Sequence, residues 1–293
     1  SFCIFFYAIL NYFSSASRAS FYFFKAQFSI NFWKILLLFS VLFISNEASI
    51  MFFIALLFGV VISYVLKGFN AIEENKTKTV LDINEARKMS YAFVLSNLTL
   101  ILALYGEQFL INLSNDTIAS SYLFKYFAVF TPIALSLNGF LGFYYGPKVR
   151  KEGNITIKKF KKFSISVFIF SIAMTILSIL SGMLFMVFFN NLKFHEIDYI
   201  IVAVLAVLCV IRGLYVATSI YLGAFGSVLS LRKNAFYGWC STIIYILLII
   251  LILYFTYGIR AATFIACASA LNWILRLIVS NFYTLKTIKE IHE

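Results

Sequence analysis

Charged side chains inside apolar stretches are costly, so the few found there are the first residues to consider for chemistry. Arg212 lies about midway along the stretch at residues 198–228, with Gly213 beside it. A guanidinium stays charged at any depth and can grip a diphosphate through paired hydrogen bonds. Alternatively, it pairs with a helix-end carbonyl or an acid. Lys125 and Arg276 lie in two further apolar stretches, where each either reaches an anionic substrate or snorkels to the nearer polar boundary. Lys34 is the fourth base so placed. Glu107 is one of the few acids at such a stretch, close to its end. It either forms an ion pair with Lys125 or carries a coupling proton. A base at mid-helix costs about 2.5–3.5 kcal/mol on insertion scales, so it normally faces a cavity or a partner.

Other reactive side chains offer less. Cys3, Cys209, Cys240 and Cys267 all sit in apolar stretches without paired spacing, as small hydrophobic residues do. His195-Glu196 has no second ligand near it, and the other histidine is far away. Neither a metal site nor a histidine-based catalytic triad is expected from these side chains.

The elements that must position these charges are transmembrane helices. Of 293 residues, 62% are hydrophobic and only 12% are charged, and the mean hydropathy is +0.93. Soluble domains carry about 25% charged residues. Too little polar material is present here to cover a water-facing surface. The apolar runs are long and do not alternate with period two, which argues against an outer-membrane barrel. A bilayer core of about 30 Å needs about 20 apolar residues in a helix. On that measure, spans are expected at residues 1–16, where a first span looks truncated, then at 27–45 and 49–66. Six more are expected at 90–112, 119–145, 163–189, 198–228, 236–256 and 261–283. Pro132 should kink the 119–145 span, and Pro147 reads as its stop. Ser1 begins inside an apolar run without a basic region before it, so the sequence reads as a fragment starting within a helix, with no signal peptide.

With the loop at 67–89 placed inside and the sides alternated, 18 of the 24 bases fall on one side. Only Lys193 and Arg260 fall on the other, and four lie within spans. By the positive-inside rule the basic side, including the C-terminus, is cytoplasmic. The net charge of +12 therefore marks a face drawn to anionic membrane lipid and not to nucleic acid. The lysines from Lys158 to Lys162 read as the start of an amphipathic helix lying on anionic headgroups.

An internal repeat adds organisation. Residues 18–67 and 232–276 each run from a basic turn through an aromatic helix start and an apolar span to a short outer turn. Each then closes with a returning span that ends on a base. Lys25 to Lys67 covers 42 residues and Lys233 to Arg276 covers 43. This suggests a complete six-helix lobe at 90–283 and, at 1–66, the last helices of a preceding one. Residues 67–89 would form the cytoplasmic connection, and 284–293 a cytoplasmic tail. Two repeats facing a midplane site is a transporter plan.

Three sequence stretches carry a family resemblance. Gly106-Glu107-Gln108-Phe109-Leu110-Ile111 is followed by Ser121-Tyr122 and then Pro147-Lys148-Val149. Tyr221-Leu222-Gly223-Ala224-Phe225-Gly226 leads into a basic turn, and Tyr257-Gly258-Ile259-Arg260-Ala261-Ala262 precedes the last span. In this order they resemble the oligosaccharide flippases of the Wzx type, of the multidrug/oligosaccharidyl-lipid/polysaccharide exporter superfamily. Two departures stand out: Glu107-Gln108 replaces the usual Asp-Arg pair, and the last turn lacks a second glycine. The resemblance implies an all-α membrane protein of two six-helix lobes, the second complete and the first partial. It also implies the substrate, undecaprenyl-pyrophosphate carrying an oligosaccharide, flipped across the bacterial inner membrane by alternating access for O-antigen or capsule assembly. It implies no covalent chemistry and no cofactor, so a transporter and not an enzyme, and a polysaccharide polymerase would be a partner.

Two rival readings bracket this one. A multidrug or metabolite exporter of the same fold would need cavity carboxylates for a cationic drug, whereas the in-span charges here are mostly basic. A membrane O-antigen polymerase or ligase would need a large outer loop, and the outer loops here are short.

Overall fold

The computed structural model of the chain describes residues 2–19, 25–26, 28–29, 31–34, 36, 48–68, 83–153, 155–190 and 192–292. These residues are helical almost throughout, with no strand among them, and they fall into two compact units, Ser1–Val80 and Leu81–Glu293.

In the first unit, α1 (Phe2–Ala19) packs on α2 (Ala48–Gly68). Gly59 lies at this contact, where a Cβ would stand 3.5 Å from Leu10 Cδ1 of α1 and 3.1 Å from the Trp33 Cβ. The Trp33 ring meets Phe52 edge-on at 5.4 Å. Within α2, Phe52–Val65 is a shorter apolar helix. Most of the expected 27–45 span and of the 67–89 connection lies outside the described residues, as does part of the first repeat copy.

The second unit contains α3 (Ile83–Leu113), α4 (Thr117–Phe130), α5 (Pro132–Glu152), α6 (Ile157–Asn190), α7 (Tyr199–Phe225), α8 (Val228–Phe255) and α9 (Gly258–His292). Five described helices are long and apolar enough to cross a membrane: α3 from Ser90, α6, α7, α8 and α9. The pair α4 and α5, bent by 63°, makes a sixth if counted as one span. The protein is therefore an all-α, multi-pass membrane protein.

The bend falls where the proline predicts it. Pro132 has no N–H to donate and clashes with the preceding turn, so α4 ends at Phe130 and α5 begins on the proline. Two side chains satisfy the carbonyls at the break. Thr131 Oγ1 donates to the Phe127 carbonyl at 2.8 Å, and Ser178 Oγ from α6 donates to the Phe130 carbonyl at 2.7 Å. The second proline behaves differently. Pro147 is inside α5, which continues to Glu152 and stops at Gly153 with φ +63°. The stop comes from a left-handed glycine and not from the proline.

Three other boundaries move. Arg232 and Lys233 sit on the first turns of α8, because Ser227 caps that helix through its side chain and leaves only a two-residue turn. Residues 284–292 continue α9 instead of forming a tail. The lysines at 158–162 are likewise on α6, which Thr156 caps by accepting from Lys159 N at 3.2 Å. At about 1.5 Å per residue the 35 residues of α9 reach about 52 Å, well beyond a hydrocarbon core.

Burial separates inner from outer helices. The apolar windows of α7 and α9 are 50% buried, whereas those of α3, α6 and α8 are 22–28% buried. Accordingly, α7 packs most extensively on α9, with α3 against α8, and with α5 and α6 against α7. At one end of the unit, acids tie the helix starts together. Asp116 caps α4 through Ala119 N at 2.9 Å and also accepts from Gly258 N at 2.8 Å. Asp198 caps α7 and accepts from the Tyr122 hydroxyl at 2.8 Å, while its N–H donates to Tyr126. At the other end, Arg150 donates to the Gly223 carbonyl at 3.1 Å.

Candidate functional site

Polar residues at helical spacing line the interior of the second unit. Thr99 and Glu107 on α3 are two turns apart. Gly238, Ser241, Thr242 and Tyr245 on α8 follow an i, i+3, i+4, i+7 pattern, as do Ser269, Asn272, Trp273 and Arg276 on α9. Facing one another, these stripes bury all of these side chains. Van der Waals packing alone would not order them so. In lipid, an unpaired polar group is expensive, and interhelical hydrogen bonds are the alternative to leaving it unmet.

Arg276 is held by this network. Its Nη2 donates to the Thr99 carbonyl at 2.9 Å, to the Gly238 carbonyl at 3.2 Å and to Thr242 Oγ1. Its Nη1 donates to Thr99 Oγ1 at 3.3 Å. The side chain is 4% exposed, so it does not snorkel. It clamps α9 to α3 and α8. A cavity of about 10 Å³, bounded by Ser96, Thr99, Tyr215, Asn234 and Arg276, lies beside it and has room for about one water. Next along the stripe, Ser241 Oγ donates to Asn272 Oδ1.

Glu107 lies one level away. It is 2% exposed and accepts a hydrogen bond from the Tyr245 hydroxyl on α8. Ser269 and Arg212 are its further polar neighbours. The expected pair with Lys125 does not form. Lys125 is exposed on α4, whose buried face carries Leu123, Tyr126 and Phe130, and it makes no ion pair with Glu107. Lys125 is thus set apart from the other three candidates, whereas Glu107, Arg212 and Arg276 come together.

Arg212 differs from Arg276 in a decisive way. It is 5% exposed, yet neither Nε nor Nη2 has a hydrogen-bond partner. The guanidinium lies over the Trp273 ring at 4.9 Å and 5.8 Å from the Phe127 ring. Trp273 also meets Arg276, at 5.9 Å, so one indole contacts two cations. Rings stabilise a desolvated cation by about 2 kcal/mol or more, but they accept no strong hydrogen bonds. Behind Arg212, Gly213 lets α7 press on α6, because a Cβ there would collide with the Ser171 hydroxyl. Ser171 Oγ, Thr175 Oγ1 and Asn138 Nδ2 are buried there without partners.

The cluster has two guanidiniums and one carboxylate, a formal excess of one positive charge. Arg276 has both Nη groups matched by protein and only Nε unpaired, whereas Arg212 leaves both Nε and Nη2 unpaired. Chemically, that arrangement suits an anion with several acceptor oxygens. Among the described residues, no group of three or more His, Cys, Asp or Glu could hold a metal ion.

Sequence reasoning passed over Thr99, Asn272, Trp273 and Tyr245. The signal was present on α9, where Ser269, Asn272, Arg276, Ser280, Thr284 and Thr287 recur every three or four residues within an otherwise apolar span. Compared with models of protein families, with curated proteins and with solved structures, the chain matches none.

Proposed function

We propose that this protein is a flippase of the Wzx type, which moves undecaprenyl-pyrophosphate-linked oligosaccharide units across the bacterial inner membrane for O-antigen or capsule assembly. The observation that carries the reading is Arg212, a buried guanidinium whose Nε and Nη2 have no hydrogen-bond partner in the protein. A diphosphate supplies the missing acceptors in pairs, and a guanidinium fork recognises them better than an ammonium would. The excess positive charge around Trp273 supports an anionic substrate over a cationic drug. Translocation in this reading requires no covalent step, and Glu107 beside Arg212 is the group placed to respond when an anion binds. Arg276 holds the helices that shape the site, and Lys125 has no part in it. The basic end of the unit, including the C-terminal end of α9, is then cytoplasmic, and a polysaccharide polymerase would take over the delivered unit outside.

Replacing Arg212 tests this in cells that make the protein. Arg212→Ala should reduce surface polysaccharide at least tenfold and accumulate its lipid-linked repeat unit, with the protein still in the membrane. Arg212→Lys should recover only part of the loss. Normal surface polysaccharide in Arg212→Ala would overturn the assignment.

A further inference from the structure

The first two turns of α6 carry a second feature that the buried cluster does not use. Lys158, Lys161 and Lys162 are exposed on one face, and with Ile157, Ile165 and Ser166 they line an open groove of about 670 Å³. The opposite face is anchored. Phe160 and Phe163 pack on the Tyr221 ring at 5.0 and 5.6 Å, so the lysines cannot rotate inward. Glu152 is close to Tyr221, on that packed side. No acid occurs between Glu152 and Glu196, and Lys158, Lys161 and Lys162 make no ion pair among the described residues.

The same face continues without interruption as exposed Ile169, Ile172 and Ile176, spaced at helical intervals down the span. Three cations at the mouth of an apolar stripe present the two halves of an anionic phospholipid in the right order. The headgroup phosphate would meet the ammonium groups, and an acyl chain would lie along the isoleucines. Lysine stems are long enough to reach a phosphate while their methylenes stay on apolar surface. Juxtamembrane lysines each contribute about 1 kcal/mol near an anionic surface, and three converging on one face concentrate that attraction at one place.

We infer that this groove is a binding site for an anionic bilayer phospholipid, distinct from the general attraction of the basic end for its leaflet. The inference does not depend on the transport reading.

Brominated-lipid quenching tests it on the full chain reconstituted in vesicles. Ile165→Trp places a reporter in the groove, and the unsubstituted protein corrects for the native tryptophans. Brominated phosphatidylglycerol should outcompete brominated phosphatidylcholine at the reporter on the order of tenfold. The combined Lys158→Gln, Lys161→Gln, Lys162→Gln change should bring that ratio close to one, and Lys161→Gln alone should lower it partway. Removing the same kind of charge elsewhere, by Arg232→Gln with Lys233→Gln, should leave it unchanged. Equal quenching by the two lipids would overturn the site. So would an equal loss in the Arg232/Lys233 variant, which would reduce the effect to unlocalised charge.

Discussion

Two arginines on neighbouring helices, both buried and both against Trp273, stand in opposite energetic positions. Arg276 has four hydrogen bonds to α3 and α8, and its removal would cut the polar clamp that joins three helices. Arg212 has aromatic rings and an incomplete set of partners, so its charge is poorly repaid by protein. Arg276→Met should therefore lower stability by about 2 kcal/mol or more. Arg212→Met should cost less than Arg276→Met, because it removes ring contacts and the attraction of Glu107 but no hydrogen-bonded clamp between helices. Thermal unfolding in one detergent, at fixed protein concentration, reads the difference. The reverse order would mean that Arg212 is structural and that its unmatched donors are not reserved for a ligand. The sequence marks both residues as unusual and cannot tell them apart, because their partners come from helices more than 30 residues distant.

At the scale of elements, the bend between α4 and α5 depends on what packs against it. Pro132 breaks the backbone hydrogen bonding, but the 63° angle is held by α6. Ser178 satisfies the freed Phe130 carbonyl, and Gly182 lets the Phe130 ring sit against the helix backbone. Gly182→Ala should cost about 1–3 kcal/mol by overpacking, and Ser178→Ala about 1 kcal/mol. Gly139→Ala, with open space around it, should be neutral or slightly stabilising through helix propensity. Chemical denaturation in mixed micelles would rank the three, and equal effects would dissociate the bend from α6. This contrast shows how far local rules extend. The break at Pro132 is legible because proline changes backbone chemistry wherever it stands. The passage of α5 through Pro147 is not, since the neighbouring helix α7 supports that segment and Gly153 supplies the stop instead.

For the whole molecule, the distribution of bases predicts sidedness. One end of the second unit carries Lys148, Arg150, Lys151, Arg232, Lys233, Lys286 and the lysines of α6. The other end carries Lys193 and Arg260. In intact cells, His195→Cys in a background without native cysteines should react with a membrane-impermeant maleimide. Lys289→Cys should react only after permeabilisation. The opposite pattern would invert the topology and place the lipid groove of α6 in the outer leaflet.

The sequence by itself determined that the chain is helical and membrane-embedded, where most of its spans lie and which end is basic. These properties follow from hydropathy and charge summed along the chain, and no neighbour in space can alter the sum. Only the tertiary structure decided which charges belong together. It separated Lys125 from Glu107 by turning one face of α4 outward, gave Glu107 to Tyr245, tied both Nη groups of Arg276 to α3 and α8 and left two nitrogens of Arg212 unpaired. A side chain's hydrogen-bond partners depend on how helices rotate and cross, and residues 99, 212, 245 and 276 acquire a common site only when four helices meet.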